Sequence, residues 1–203
     1  MGISETHGTD GTELGARLVP GCRPFWSHGT RSQAGVWLFV KSSFLMKFNP
    51  VRPEDWVPLE AGRAAKLFLR GPSGALDIIV VYLTSGSDQT IRATRRATMT
   101  SIAQHVAPRE QVLIVMLVDF NFVVDRRDRW SKSDGSWSGD SDARDARAFE
   151  ILFSTLFGFH ELRQPLVTHE CGVAKSRLDR ACANNSLADQ LDRCYKSCFR
   201  LRQ

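Results

Sequence analysis

Paired cysteines, tyrosines, lysines and long apolar runs are all scarce in this 203-residue chain, and each scarcity excludes something. The five cysteines (Cys22, Cys171, Cys182, Cys194, Cys198) are odd in number, and no two have Cys-x-x-Cys spacing. That argues against a zinc ribbon, a dithiol redox centre or a disulfide scaffold, and for free thiols in a reducing compartment. The longest aliphatic run, Val112 to Val118, is too short to span a bilayer, and the polar start Met1 to Thr6 has no signal-peptide apolar stretch. An intracellular protein that is not secreted and has no membrane partner is the expectation. A hydrophobic content of 42% excludes extended disorder, so one folded domain over 1–203 is expected. Only six of the 27 basic residues are lysine, leaving 21 arginines, and the net charge is +5. Guanidinium forks suit phosphate and carboxylate, but this modest excess by itself decides nothing about partners.

What is present reads as alternating strands and helices. Val36 to Val40, Leu67 to Leu69, Ile78 to Leu83 and Val112 to Val118 are short β-rich apolar runs. Two of them are apolar on both faces, as in central strands covered on both sides, and Asp88 to His105 between them has helix-like composition. Arg92, Arg95 and Arg96 are expected on a basic, exposed face of that helix, with Asp88 as its cap. A second helix is expected from Asp142 to Asp145 through Leu156, ended by Gly158. Asp125 to Asp140 reads as a long exposed loop, and Val167 to Cys171 and Arg177 to Cys182 as two strands joined by a turn. A polar helical segment is expected to follow to the end.

The most informative stretch is Val118-Asp119-Phe120-Asn121-Phe122, where an apolar strand delivers Asp119 and Asn121 to its carboxyl end. Active sites of α/β sheets sit at such strand ends. A carboxylate there can take a proton from water while an amide holds a phosphate oxygen; the bland alternative is an Asx turn. Arg126, Arg127 and Arg129 with Trp130 follow directly, suited to phosphate contact and base stacking, or to salt bridges with Asp125, Asp128 and Asp134.

Together with Ser4-Glu5-Thr6-His7, Tyr82, Thr168-His169-Glu170 and Ser176-Arg177-Leu178-Asp179-Arg180, this pattern resembles the endonuclease/exonuclease/phosphatase superfamily. Within it, Asp119 to Val123, Asp128-Arg129-Trp130, Gly158 to Leu162, Gln164-Pro165, Thr168-His169 and Ser176 to Arg180 are similar in order to the endonuclease domain of non-LTR retrotransposons, which is apurinic-endonuclease-like. The resemblance implies an α/β fold, the two-sheet sandwich of the DNase I-like type, with helices outside and the site at one end between the sheets. It implies a Mg²⁺-dependent phosphodiesterase, with Mn²⁺ as an alternative ion, acting on DNA or RNA, with a nuclear location and a reverse transcriptase encoded downstream.

Residue by residue, the resemblance makes Glu5 the metal ligand, Asp119 the base for the attacking water, Asn121 the phosphate-orienting amide and Tyr82 a hydroxyl donor to the phosphate. Asp179 matches the aspartate that pairs with a C-terminal histidine. Arg126, Arg127, Arg129, Trp130 and His169 are the candidate nucleic-acid contacts. Two departures stand out. The family's Ser-Asp-His segment has no counterpart after Asp179 and its opening strand has none before Glu5, so the chain reads as lacking terminal strands, with loss of activity as the expected consequence of the absent Ser-Asp-His. Val118 also stands where the family commonly has Gly, and is expected to crowd the metal pocket. His160 and His169 are the candidates to stand in for the missing histidine. A non-catalytic nucleic-acid-binding remnant and an inositol-lipid or nucleotide phosphatase are the alternative readings.

Overall fold

Residues 2–3, 19–29, 35–72, 74–107, 112–137, 142–162, 164 and 167–184 are described by a computed structural model. In chain order the strands are β1 (Gly2–Ile3), β2 (Cys22–Ser27), β3 (Val36–Lys41), β4 (Trp56–Glu60), β5 (Ala64–Gly71), β6 (Gly74–Tyr82) and β7 (Leu113–Asp119). The short β8 (Arg129–Ser131) and β9 (Ser136–Trp137) follow, then β10 (Phe159–Leu162), β11 (His169–Cys171), β12 (Ala174–Ser176) and β13 (Asp179–Asn184). The helices are α1 (Ser42–Leu45), α2 (Gln89–Ala103) and α3 (Ala143–Phe149), the last continuing as a π-helical turn over Glu150–Thr155.

Three of the four apolar runs become β5, β6 and β7 at the centre of a six-stranded mixed sheet ordered β10-β13-β7-β6-β5-β4, and the fourth, Val36 to Val40, becomes β3 of a smaller sheet. Strands β6 and β7 are parallel, which requires a crossover, and α2 supplies it. Period-two alternation then sorts the side chains onto two faces. On one face Ile79, Val81, Ile114, Met116 and Val118 pack with Met99 and Ile102 of α2, and with Phe153 and Phe159. On the other, Ala65, Leu67, Leu69, Val80 and Tyr82 meet Phe25, Val36, Leu38 and Val40 of a three-stranded antiparallel sheet ordered β1-β3-β2. Two sheets therefore lie face to face with helices outside the larger one, and the apolar runs are buried from both sides. A third sheet, β11-β12-β8-β9, stands apart from this sandwich among the described residues.

Three local expectations are corrected. Arg95 is not exposed but fully buried: its guanidinium pairs with Asp145 at 2.5 Å, donates to the carbonyls of Thr84 and Gly86, and lies over the Phe122 ring. Arg92 and Arg96 turn to Asp142 and Asp145 as well, so the basic face of α2 is the face that docks the start of α3. Residues 125–137 are largely exposed, as expected, but are not one long loop: a capped turn at Arg126–Asp128 leads into the β8–β9 hairpin, where Trp130 pairs across from Trp137 and their rings meet edge to face at 5.2 Å. Finally, β11 pairs with β12 through a turn at Gly172 (φ 52°), whereas β13 leaves for the six-stranded sheet. Gly158 does end the π-helical turn, at φ 68°. The expected C-terminal helical segment lies outside the described residues.

Candidate active site between the two sheets

Pairing alone brings three widely separated residues into one row. The parallel register sets Tyr82 of β6 beside Asp119 of β7, and the antiparallel register sets Asp179 of β13 on the other side of Asp119. Because Val81, Val118 and Arg180 point to the helical face, their neighbours Tyr82, Asp119 and Asp179 share the face turned toward the three-stranded sheet. The Phe120 N–H donates to the Leu178 carbonyl at 3.0 Å, so the adjoining Asp119/Asp179 pair is of the non-hydrogen-bonded kind. In that arrangement the Cα atoms lie about 4.5 Å apart and the side chains are closest. Two carboxylates held so repel one another, and a cation between them offsets the repulsion.

The turn after β7 is fixed by its own side chains. The Asn121 N–H donates to Asp119 Oδ1 at 3.1 Å, an Asx turn, and Asn121 Nδ2 donates to the Leu83 carbonyl at 3.0 Å. Asn121 has φ 50°, the left-handed region that an asparagine tolerates better than most residues. Phe120 and Phe122, both fully buried, anchor the turn from the helical side, their rings 5.1 Å apart. The Asx turn and the candidate chemistry are thus one structure, with the amide bridging from the end of β7 to the end of β6.

Val118 does not crowd this face. It is buried against the helices, on the opposite side of β7 from Asp119, because successive residues of a strand alternate. Glu5 lies outside the described residues. Among the described residues no three His, Cys, Asp or Glu side chains gather into a ready metal cage.

Several residues act through others. Thr168 Oγ1 accepts the N–H groups of both Leu178 and Asp179, each at 3.0 Å, and so sets the entry of β13 beside β7. Asp128 is wholly buried: its carboxylate pairs with Arg177 at 3.0 Å and with Arg180, and it also accepts the Asp125 N–H. The same two arginines reach Glu161 on β10. Four motif residues of the sequence therefore meet in one ion network behind the site, which reading the motifs singly does not reveal.

The candidate nucleic-acid contacts divide. Arg127 is held by Asp125, whose carboxyl lies below its ordinary range because of the Arg127 side chain first and the Arg127 N–H second. Arg126 is exposed and forms no ion pair among the described residues. Arg129 donates to Ser176 Oγ, and Trp130 is half-buried against Trp137, a residue 46% exposed. His169 and His160 are both exposed, on β11 and β10, and among the described residues no histidine is hydrogen-bonded to Asp179. On the far face of the large sheet lies a cavity of about 530 Å³, walled by Phe120, Phe149 and Phe159 and bordered by Arg180 and Cys182. Burial pushes the Cys182 thiol up to about 12.

No family profile matches the chain, and no curated protein does. Solved structures do. An AP endonuclease from Archaeoglobus fulgidus superposes with a TM-score of 0.62 at 16% identity, over 93% of this chain and 77% of that one. The 3′ phosphatase NExo from Neisseria, solved bound to a product DNA hairpin, gives 0.65 at 16% identity over the same shares, 93% and 77%. The endonuclease domain of TRAS1, a telomere-specific non-LTR retrotransposon, gives 0.52 at 15% identity over 85% and 71%. The fold is the DNase I-like α/β sandwich of the endonuclease/exonuclease/phosphatase structures. At these identities it is the fold, and not the activity, that is shared. No helix among the described residues is long and apolar enough to cross a membrane.

Proposed function

We propose that this chain is a metal-dependent phosphodiesterase that cleaves DNA, of the kind found in non-LTR retrotransposons. The observation that carries the reading is the row Tyr82, Asp119, Asp179 across β6, β7 and β13, on the face between the two sheets. Asp119 takes the proton of the attacking water, and the Asn121 amide orients the phosphate while tying β7 to β6. The Tyr82 hydroxyl donates to a phosphate oxygen. Asp179, held by Thr168, completes the facing carboxylate pair.

That pair fits Mg²⁺ or Mn²⁺: hard divalent ions take oxygen ligands, and an ion that keeps most of its waters is content with one or two carboxylates. Glu5 is the third candidate ligand. When bound, such an ion supplies charge that offsets the carboxylates and polarises a phosphate oxygen. DNA is the proposed partner along Arg126, Arg129 and Trp130, with RNA and a downstream-encoded reverse transcriptase as further proposals, and the nucleus as the place of action.

The test is nicking of supercoiled plasmid and of an abasic-site duplex with Mg²⁺, with EDTA and Asp119→Ala as controls. Metal-dependent nicking that Asp119→Ala abolishes is the expected result. The second reading is a nucleic-acid-binding remnant without chemistry, which exposed Arg126 and the Trp130–Trp137 pair would serve equally well. A folded protein that retards duplex DNA yet leaves plasmid intact would establish that reading instead. Release of phosphate from small esters without nicking would point to a phosphatase.

A further inference from the structure

The row of site residues extends one strand further than the sequence motifs do. The turn between β4 and β5, closed by the Arg63 N–H on the Glu60 carbonyl at 3.0 Å, places Arg63 one residue before β5. The Tyr82 N–H donates to the Arg63 carbonyl at 2.7 Å, continuing the register in which Ala64 faces Val81. Arg63, Tyr82, Asp119 and Asp179 therefore stand side by side on four adjacent strands. Alternation sends Arg63 to the same face as Ala65 and Leu67, the face of Tyr82. Its guanidinium does lie there, bonded to the hydroxyl of Thr84, two residues beyond Tyr82.

The charge balance of the row gives Arg63 its significance. Arg92, Arg95, Arg96, Arg177 and Arg180 are all paired with carboxylates, whereas among the described residues Arg63 has no carboxylate within ion-pair distance. It is half-buried, and a neutral hydroxyl is its one side-chain partner there. A guanidinium has five N–H donors, so most remain for a planar, two-oxygen acceptor. Two strand spacings, roughly 9–10 Å, separate its backbone from that of Asp119, and among the described residues its guanidinium bonds Thr84 rather than that carboxylate. The other side chains of the row are two carboxylates and a neutral phenol, none of which is a cation. As water adds to phosphorus, negative charge grows on the non-bridging oxygens, and a fixed donor aimed at them lowers the barrier.

We propose that Arg63 is a phosphate-contacting catalytic residue, binding the non-bridging oxygens of the scissile phosphodiester from the β5 side of the site. This rests on the nuclease reading above. The test compares wild type with Arg63→Gln, Arg63→Lys and Thr84→Val in two assays. One is Mg²⁺-dependent plasmid nicking; the other is binding of the dinucleotide thymidylyl-thymidine, followed by its phosphorus resonance, which needs no chemistry. Arg63→Gln should bind the dinucleotide about tenfold more weakly and lose about 100-fold in kcat, with KM rising by no more than the same tenfold, the scale of removing one donor that tightens in the transition state. Arg63→Lys should recover part of both, and Thr84→Val little of either loss. Circular dichroism melts identify any variant that fails to fold; Arg63→Lys then carries the comparison.

Wild-type binding and rate in folded Arg63→Gln would overturn the proposal, as would an equal loss in Thr84→Val, which would make Arg63 a tie for the Thr84 segment. Folded wild type that fails to bind the dinucleotide would overturn it too. Arg63-dependent binding without nicking would sink the nuclease reading and leave the phosphate contact standing. Nicking indifferent to Arg63 would do the reverse.

Discussion

Replacing Asp145 by Asn tests the central tie between the helices and the turns that carry the candidate site. Arg95 and Asp145 are both 0% exposed, their charges 2.5 Å apart, so the substitution leaves a guanidinium buried without its counter-ion. Breaking such a pair from one side costs about 3–5 kcal/mol. The carbonyls of Thr84 and Gly86, at 3.3 and 3.0 Å, and the Phe122 ring at 5.0 Å still receive the cation, which places the expected loss near the lower end. Arg96, 39% exposed and 3.4 Å from the same carboxylate, adds only about 0.5 kcal/mol. At about 2–4 °C per kcal/mol for a domain of this size, the melting temperature should fall by about 6–20 °C.

The double variant Arg95→Met, Asp145→Leu removes the pair altogether. What remains is the loss of two N–H donors to carbonyls near the surface, about 1 kcal/mol once water reaches them. The double variant should therefore be more stable than Asp145→Asn alone, a non-additivity that urea titrations of all the variants measure directly. If Asp145→Asn lies within about 1 kcal/mol of wild type, or if the double loss equals the sum of the single losses, the pair does not have the buried role assigned to it.

Other consequences are independent. Asn121→Gly should keep the turn while Asn121→Ala, forced to φ 50°, should be about 1 kcal/mol less stable than the glycine variant; both should fail to nick plasmid, because both lack the amide. In the native protein at pH 8, iodoacetamide should label exposed Cys171 and spare Cys182, whose raised pKa of about 12 against an ordinary 9.0 cuts its thiolate fraction about a thousandfold. The same shift means that stability tied to the Cys182 thiol is whole below pH 9 and drains away as the pH rises toward 12; equal labelling of both cysteines by mass spectrometry would contradict the burial. Asp128→Asn should destabilise more than Glu161→Gln in thermal melts, since Asp128 is fully buried between two arginines while Glu161 is 29% exposed.

Strands β5, β6 and β7 of the large sheet are legible in the sequence as short apolar runs, two of them apolar on both faces as double coverage requires, whereas β4 and β10 carry no such run. The end of β7 is legible because Asp119 and Asn121 interrupt that pattern at its carboxyl end. Pairing is another matter: that Asp179 lies opposite Asp119 follows from a ladder closed across 60 residues, and no local property encodes it. Arg95 is misread for the same reason, since a helix with arginines at 92, 95 and 96 looks solvated until Asp145, 50 positions later, is brought to it. The β8–β9 hairpin did leave a local trace. Asp134-Gly135, with Gly135 at φ 58° between two tryptophan-bearing segments, is a hairpin signal that the surrounding polar composition obscures. Arg63 belongs to no motif, and only its place in the register marks it.

The position of β13 between β10 and β7 also governs how the molecule is made. Strand β7 is complete in the nascent chain once Asp119 is synthesised, but its second hydrogen-bonding edge stays unpaired until Asp179–Asn184 emerges. At about 5–20 residues per second, the 60 intervening positions keep the edge of the Leu113–Asp119 ribbon open for about 3–12 s. An apolar open edge is a template for intermolecular pairing, so this interval is when aggregation competes with folding. Arrival of β13 ends it and, in the same event, brings the second carboxylate to face the first. Translation pauses between those two points would therefore lower soluble yield, whereas pauses after Asn184 would not.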